Sequence, residues 1–194
     1  MVIGVLALQG DFAEHIKVLR RIGVDAREIR LADELANIDG LIIPGGESTT
    51  IGKLAVDFGM MQPLREFGGE QPIWGTCAGA ILLSKDARRQ QPLLGLMDIT
   101  VERNAFGRQV DSFEVDLDVP ALARVSSQNP PFSAVFIRAP LIESLNGDDV
   151  QALSQLDDGR VVAAQQGHFL ATAFHPELSD DDRFHRYFVQ MVDG

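Results

Sequence analysis

The sequence contains only one cysteine in 194 residues, which excludes an intrachain disulfide framework. A lone cysteine is typical of a protein from a reducing compartment, so we expect a cytoplasmic location. The sequence also lacks any run of Lys and Arg, and 28 acidic against 17 basic side chains give a net charge of −11. Because nucleic-acid binding depends mainly on basic surface, we expect no DNA or RNA partner.

Long hydrophobic runs are absent as well, whereas a membrane span needs about 18 consecutive apolar residues. The apolar residues 1–8 are followed at once by Gln9, Gly10 and Asp11, and no positively charged segment precedes them. We therefore expect neither a signal peptide nor contact with a membrane. The chain length and the 45% hydrophobic content predict one globular domain, residues 1–194.

The first half of the chain alternates apolar runs with amphipathic stretches. Strands are predicted at residues 2–8, 24–31, 40–43 and 72–74. Helices are predicted after three of these runs. The first begins at Asp11, with Glu14 as its capping-box partner, and ends at Gly23. The second begins at Ser48 and has an apolar face that reaches Phe58, and the third follows the segment Gly75–Gly79 and continues through Leu83. This order predicts an α/β fold, with an open, mostly parallel sheet and helices on both faces.

The second half has shorter apolar runs that are broken by Gly, Pro and Asn. Residues 99–103, 113–119, 134–137 and 141–145 predict a mixed or antiparallel extension of the sheet rather than a second domain. Residues 161–165 and 169–174 predict a hairpin. The last apolar positions have helical spacing and predict a closing helix: Phe184, Tyr187, Phe188, Met191 and Val192.

The motif Gly75-x-Cys77-x-Gly79 is the strongest chemical signal, since it follows an apolar strand and opens a helix. Such a turn exposes a nucleophile, and the two glycines let the backbone bend sharply. The helix N-terminus favours a thiolate, and the N–H of Ala78 would face a developing oxyanion. The alternative interpretation is a small cysteine buried in a packed turn.

A cysteine nucleophile needs a base, and the chain has four histidines. We expect His15 and His185 to be surface or partly buried helix residues and His168 to be solvated in a hairpin turn. His175 ends a strand, and Glu177 two residues later would point the same way and orient its imidazole. The alternative is a plain strand end with a turn.

A second glycine-rich segment, Pro44-Gly45-Gly46-Glu47-Ser48-Thr49-Thr50, also follows a strand. It does not fit a phosphate-binding loop, because Ile51 stands where the second glycine is required and Leu54 follows Lys53. We interpret it as an oxyanion loop whose glycines let a backbone N–H face the nucleophile. A turn with a Ser48 helix cap is the alternative.

Three motifs follow one another along the chain: a strand that ends in Gly45-Gly46, the turn Gly75-x-Cys77-x-Gly79, and His175-x-Glu177 near the end. Their types and their order resemble the class I, triad-type glutamine amidotransferases. Further blocks are similar to the family of glutaminase subunits of pyridoxal 5′-phosphate synthase. Those blocks are Leu6-Ala7-Leu8-Gln9-Gly10-Asp11-Phe12, Arg103-Asn104-x-Phe106-Gly107-Arg108-Gln109, Phe136-Ile137-Arg138-Ala139-Pro140, His175-Pro176-Glu177-Leu178 and Arg183-Phe184-His185.

The resemblance implies a flavodoxin-like glutaminase that hydrolyses L-glutamine to glutamate and ammonia and passes the ammonia to a synthase partner for vitamin B6 biosynthesis. It implies the triad Cys77, His175 and Glu177. It also implies oxyanion donors from Gly46 and Ala78, a partner-facing Gln9, and glutamine contacts from Gly46, Glu47, Ser48, Arg103, Ile137 and Arg138. For the glutamine carboxylate, Arg103 and Arg138 offer guanidinium groups that can bind it in a bidentate way.

We expect no cofactor, and no metal site, because the histidines and the cysteine are scattered along the sequence. Two other functions stay open at this point. One is the glutaminase of another amidotransferase complex, and the other is a non-catalytic binding module with a buried or redox-active Cys77.

Overall fold

Ten strands form one sheet in the computed structural model, which describes residues 1–103 and 112–194. Two further strands form a separate antiparallel ribbon, β7 with β8. In chain order the strands are β1 (Val2–Leu6), β2 (Asp25–Ile29), β3 (Gly40–Ile43), β4 (Ile73–Thr76), β5 (Ser84–Asp86), β6 (Met97–Glu102), β7 (Ser112–Leu117), β8 (Phe132–Ile137), β9 (Leu141–Leu145), β10 (Val150–Gln155), β11 (Val161–Gln166) and β12 (Phe169–Thr172).

The helices lie between these strands and at the end of the described chain. The α-helices are α1 (Phe12–Arg21), α2 (Ser48–Asp57), α3 (Met61–Gly68), α4 (Ala78–Leu83) and α5 (Arg183–Asp193). Short 3₁₀ helices occur at Ala32–Asn37, Pro120–Arg124 and Pro176–Leu178. In the part of the chain that the structure describes, no helix is both long and apolar enough to cross a bilayer.

The sheet has a parallel half and a mixed half. Its strand order is β2-β1-β3-β4-β12-β11-β9-β6-β5, with β10 paired to β11. The pairs among β2, β1, β3, β4 and β12 are all parallel, whereas β12–β11, β11–β9 and β9–β6 are antiparallel. The predicted fold class is confirmed, as is the hairpin of β11 and β12. The predicted extension of the sheet is confirmed for β6 and β9, whereas β7 and β8, predicted as part of it, pair only with each other in the separate ribbon.

Alternate residues of the parallel strands pack into two separate cores, one on each face of the sheet. In β1, Ile3 and Val5 pack with α1 and α5, while Leu6 packs on the other face with α2, α3 and α4. The helix α5 closes the first core with Phe184, Tyr187 and Phe188, as its spacing predicts, and all three are almost completely buried. The predicted helices on both faces are thus confirmed.

Three local predictions are wrong. Asp11 precedes α1 but makes no capping hydrogen bond, because its carboxylate points toward His175 instead. Ser48 is the first residue of α2 rather than its cap, and the preceding Glu47 caps the helix by accepting hydrogen bonds from the N–H groups of Thr49 and Thr50. Phe58 follows the last helical residue, Asp57, and is 58% exposed rather than buried.

Candidate active site

Four neighbouring parallel strands end at the same edge of the sheet, and each is followed by a segment that lines one cleft. Gln9–Asp11 follows β1, Gly45 and Gly46 follow β3, Cys77 follows β4, and His175 follows β12. Ligands of open α/β sheets bind at the carboxyl ends of the strands. The topology therefore brings together segments that lie up to 166 positions apart in the sequence, as between Gln9 and His175.

The cysteine stands on a strained turn between β4 and α4. Its φ of 48° and ψ of −106° lie in a region that side-chain-bearing residues rarely adopt. The two glycines of the motif make this turn possible by close packing. A Cβ on Gly79 would lie 1.9 Å from the Ile43 carbonyl oxygen, and a Cβ on Gly75 would lie 2.5 Å from the backbone of Gly79. The turn is thus locked against β3 with Cys77 at its tip.

His175 and Glu177 form a buried pair. Nδ1 of His175 lies 2.7 Å from Oε1 of Glu177, and both side chains are almost inaccessible to solvent. The expected contact is present, but its backbone differs from the extended one we predicted, because Pro176–Leu178 forms a 3₁₀ turn. The N–H of His175 donates to the carbonyl of Val135 and so anchors the imidazole from the backbone side.

The charge state of His175 is set by its two neighbours. Burial disfavours the charged imidazole, but interactions with Cys77 and Glu177 outweigh burial and raise the pKa of His175 well above its ordinary value. Burial raises the pKa of Glu177, and the interaction with His175 opposes this effect. Nε2 of His175 is buried, and no hydrogen bond of good geometry reaches it from the described residues. Because Nδ1 is occupied by Glu177, Nε2 is the ring nitrogen that is available for proton transfer.

The glycine-rich loop after β3 is held by the loop after β1. The side-chain oxygen of Gln9 accepts a hydrogen bond from the N–H of Glu47 at 2.8 Å. Gly46 has a φ of 153°, and a Cβ there would lie 2.5 Å from that Gln9 oxygen. The backbone of Gly10 also lies close to this loop, since a Cβ added at Gly10 would lie 1.8 Å from the carbonyl oxygen of Gly45. The side chain of Gln9 is therefore in direct contact with the peptide that joins Gly46 and Glu47.

The two predicted arginines differ in their partners. Arg103 forms an ion pair with Glu47 at 2.8 Å and donates to the hydroxyl of Thr49 at 2.9 Å. Hydrogen bonds to Thr49 and Thr50 and the nearby Arg103 outweigh partial burial and lower the pKa of Glu47 to about 2. Arg138 has a φ of 43° and forms no ion pair with any described residue.

One cleft of about 440 Å³ is lined by all of the predicted site residues except Glu177, which lies behind His175. These residues are Gln9, Gly46, Glu47, Ser48, Cys77, Ala78, Arg103, Ile137, Arg138 and His175. The volume is within the range of small-molecule sites. The remainder of the Arg103 block, Asn104 with Phe106–Gln109, lies outside the described residues.

Asp11 also lines the cleft, although the sequence suggested only a helix start. Its Oδ2 lies 3.6 Å from Nδ1 of His175. Partial burial raises the pKa of Asp11, against the opposite effect of His175. Its position just after β1, at the same edge as Cys77, is the signal that could have identified it.

The described residues bring together one group that could hold a metal ion, and sequence spacing alone did not suggest it. Ligand atoms of Asp11, His175 and Glu177 lie within 4.8 Å of one another. However, Nδ1 of His175 and Oε1 of Glu177 already bind each other at 2.7 Å. The cluster is therefore accounted for as an imidazole oriented by carboxylates.

Predictions for the other three histidines are corrected by the structure. His15 and His185 are completely buried, because each lies on the inner face of its helix and the two rings contact each other. His168 is half-buried in the β11–β12 turn, and its Nε2 lies 2.8 Å from the carbonyl oxygen of Gly68. Both corrections arise from contacts with residues far away in the sequence.

Comparison with known proteins places this geometry in a known group. A model of the SNO glutamine amidotransferase family matches residues 5–194. A protein of Roseiflexus sp. (strain RS-1), named pyridoxal 5′-phosphate synthase subunit PdxT, is 56% identical over 195 residues, which cover 98% of this chain and 100% of that protein. A protein of the same name from Moorella thermoacetica is 55% identical over 194 residues, with 99% and 100% covered.

Solved structures have the same fold as this chain. A crystal structure of a glutamine amidotransferase superimposes with a TM-score of 0.91 at 47% identity and covers 100% of both chains. PurLQS from Thermotoga maritima superimposes with a TM-score of 0.71 at 15% identity, covers 97% of both chains and shows a similar fold alone.

Proposed function

This chain belongs to the SNO glutamine amidotransferase family, and we propose that it hydrolyses L-glutamine to L-glutamate and ammonia and supplies the ammonia to a synthase subunit that makes pyridoxal 5′-phosphate. The observation that carries the reaction is the buried His175–Glu177 pair beside Cys77, at the base of a cleft that glutamine can fill. The names of the relatives support the role as a synthase subunit.

The first step is attack by the sulfur of Cys77 on the side-chain carbonyl of glutamine. The high pKa of His175 favours an imidazolium beside Cys77, and the thiolate is in general the reactive form of a cysteine nucleophile. The backbone N–H groups of Gly46 and Ala78 are proposed to hold the oxyanion. Loss of one such donor typically slows catalysis by about 10²–10³-fold.

The second step is proton transfer by His175. Nε2 gives its proton to the departing ammonia and leaves a γ-glutamyl thioester on Cys77. The same nitrogen then takes a proton from the water that hydrolyses the thioester, while the hydrogen bond from Nδ1 to Glu177 keeps the ring in place. Neither Asp11 nor a metal ion is needed for these proton transfers.

Substrate binding is proposed to use the charged wall of the cleft. Arg138 is available for the glutamine carboxylate, since it forms no ion pair with a described residue, and Ile137 beside it offers apolar contact. Arg103, Glu47 and Ser48 would complete the binding site, with Arg103 either shared between Glu47 and substrate or released from Glu47.

The partner is proposed to act through Gln9. Because Gln9 holds the N–H of Glu47, a synthase subunit that contacts Gln9 would reorient the loop that carries Gly46. We expect the isolated chain to turn over slowly and the complex to turn over faster. Residues 1–194 form one glutaminase domain in this proposal, and the cytoplasmic location expected from the single cysteine belongs to it as well.

The test measures glutamate and ammonia release from L-glutamine by the purified chain, alone and with the synthase subunit. We expect Cys77→Ala to abolish turnover and to keep the wild-type circular dichroism spectrum. The control Ser133→Ala makes an equally small truncation at an exposed position of β8 and is expected to leave turnover unchanged. Substantial turnover by Cys77→Ala would refute the nucleophile, and equal wild-type rates with and without the synthase would refute activation by the partner.

The same experiment separates this function from the two alternatives. A protein that releases ammonia but is not stimulated by the pyridoxal 5′-phosphate synthase subunit would be the glutaminase of another complex. A folded protein that does not hydrolyse glutamine, and whose Cys77 resists alkylation in the complex, would be a binding module.

A further inference from the structure

Two completely buried histidines lie directly behind Glu177, and no step of the reaction above uses them. Nδ1 of His15 lies 2.9 Å from Nε2 of His185. On its other side, Nε2 of His15 lies 3.2 Å from the hydroxyl oxygen of Thr76 and 3.3 Å from Oε2 of Glu177. A continuous line of contacts therefore runs from His185 through His15 to Glu177 and His175.

Complete burial favours the neutral form of both rings, in which each ring carries one N–H. Burial is the largest cause that lowers the pKa of both rings, to about 3 for His185 and well below its ordinary value for His15. In a contact of 2.9 Å between two imidazole nitrogens, one must donate and the other must accept. Only two arrangements of the protons satisfy this condition.

In the first arrangement, Nε2 of His185 donates to Nδ1 of His15. His15 then carries its proton on Nε2, where the N–H meets the oxygens of Thr76 and Glu177. The nitrogen left without a partner is Nδ1 of His185, which is buried and accepts no hydrogen bond from the described residues. It would be an unprotonated nitrogen, and no buried N–H would lack an acceptor.

In the second arrangement, Nδ1 of His15 donates to Nε2 of His185. The proton of His185 must then be on Nδ1, as a buried N–H that no described residue accepts. In addition, the lone pair of His15 Nε2 would lie 3.3 Å from a carboxylate oxygen. Because buried N–H groups without an acceptor are rare and costly, the first arrangement is favoured.

The first arrangement places an N–H next to the carboxylate of Glu177. Its Oε1 accepts the hydrogen bond of His175, while Oε2 is buried and has no hydrogen bond of good geometry from the described residues. In the first arrangement, the N–H of His15 lies on Nε2, which is 3.3 Å from Oε2. It stabilises the negative charge that Glu177 must carry whenever His175 is an imidazolium. Trp74 packs edge-on against both rings, with centroids 5.7 Å from His15 and 5.0 Å from His185, and restrains their orientation.

We propose that His185 holds His15 in the Nε2–H tautomer and that His15, through this N–H, is a positioning residue that fixes the carboxylate of Glu177 for catalysis. The catalytic part of this inference rests on the proposed glutaminase function, whereas the tautomer does not. His15 does not line the cleft, so it acts on turnover through Glu177 and not on glutamine binding.

The tautomer is measured on the intact wild-type protein by two-bond ¹H–¹⁵N correlation spectra of ¹⁵N-labelled histidine side chains, with His15→Gln and His185→Gln as assignment variants. We expect His15 and His185 both to be neutral at pH 7 and protonated on Nε2. A proton on Nδ1 of His15, or a charged ring at either position, would overturn the proposal whether or not the protein hydrolyses glutamine.

The positioning role is measured by steady-state kinetics with the synthase subunit present. His15→Leu removes the N–H that lies 3.3 Å from Glu177, and we expect kcat to fall roughly 10–100-fold with KM nearly unchanged, since polar contacts to a charged group are worth about 1.5–3 kcal/mol. His15→Gln restores an N–H donor near the same place and should recover most of kcat. His168→Leu and His168→Gln are the matched controls, since His168 lies outside the cleft.

Equal losses in kcat for His15→Leu and His15→Gln would show that packing alone matters and would overturn the positioning role. A kcat of folded His15→Leu within about threefold of wild type would do the same. Failure of the proposed glutaminase function would look different, because the wild-type protein itself would not turn over while the tautomer measurement would still stand.

Discussion

Gly45→Ala tests whether catalysis depends on the position of the His175 ring. A Cβ on Gly45 would lie 2.5 Å from Cε1 of His175, 3.0 Å from its Nδ1 and 3.2 Å from Oδ2 of Asp11. Gly45 is not among the glycines with positive φ, so its backbone tolerates alanine. The substitution therefore acts through steric contact, closest with the imidazole and less close with Asp11, rather than through backbone strain.

The size of the displacement follows from these distances. Ordinary contact between carbon atoms begins near 3.5 Å, so the ring must withdraw by about 1 Å. Nδ1 is held at 2.7 Å from Glu177, and a hydrogen bond stretched by that amount is lost. Misplacement of a catalytic group by about 1 Å costs roughly 10²-fold in rate, and we expect kcat to fall by about this factor with KM little changed.

The assay is steady-state glutamine hydrolysis with saturating synthase subunit, together with thermal unfolding of each variant. Gly69→Ala is the matched control. Gly69 is the C-cap that follows α3 and has a φ of −69°, and a Cβ there would lie 3.2 Å from the carbonyl oxygen of Glu66, away from the cleft. If folded Gly45→Ala kept kcat within about threefold of wild type, or if Gly69→Ala lost as much, the reasoning about His175 would be refuted.

Two further predictions concern stability. The pKa of Glu47 is lowered to about 2 in the folded chain, so its stabilising effect is present above the unfolded pKa of about 4.3 and is lost as the pH falls toward 2. Thermal unfolding should therefore show that the wild-type protein is more stable than Glu47→Gln at pH 6 and that this difference vanishes near pH 2. A difference that grows as the pH falls would contradict this prediction. The guanidinium of Arg183 is almost buried and binds Asp181, Asn129 and Pro130. Urea unfolding should show that Arg183→Met lowers the free energy of unfolding by roughly 3 kcal/mol, whereas Arg186→Met, in a more exposed ion pair, lowers it by less than about 1 kcal/mol. Similar losses of stability in the two variants would contradict the role of burial.

Predictions of elements succeeded where a continuous apolar run met a glycine. The runs at β3 and β4 must be buried on both faces of a parallel sheet, and the glycines after them permit sharp turns. This pattern alone was enough to predict that the segments of Gly46 and Cys77 lie at strand ends. It did not reveal α3, whose eight residues, Met61–Gly68, have a proline near the start and too short an apolar pattern.

Predictions of single side chains failed where two neighbouring residues could fill one role. Glu47 and Ser48 are both acceptable helix caps, and the choice depends on where the first helical turn begins. Arg103 also contributes to the position of the cap, because its positive charge lies beside the carboxylate of Glu47. Since Arg103 is 56 positions away, no local pattern contains this information.

The two buried histidines show the same limit more strongly. On a helix, a histidine between apolar residues has a position that fits burial, but burial is acceptable only if both ring nitrogens are accounted for. The partner that accounts for Nδ1 of His15 is His185, which is 170 positions away on another helix. Sequence spacing predicted the triad because Cys77, His175 and Glu177 belong to local motifs, whereas the residues that support the triad are joined only by the fold. A search for supporting residues in such a site should therefore begin from the free oxygen of the carboxylate and proceed through space.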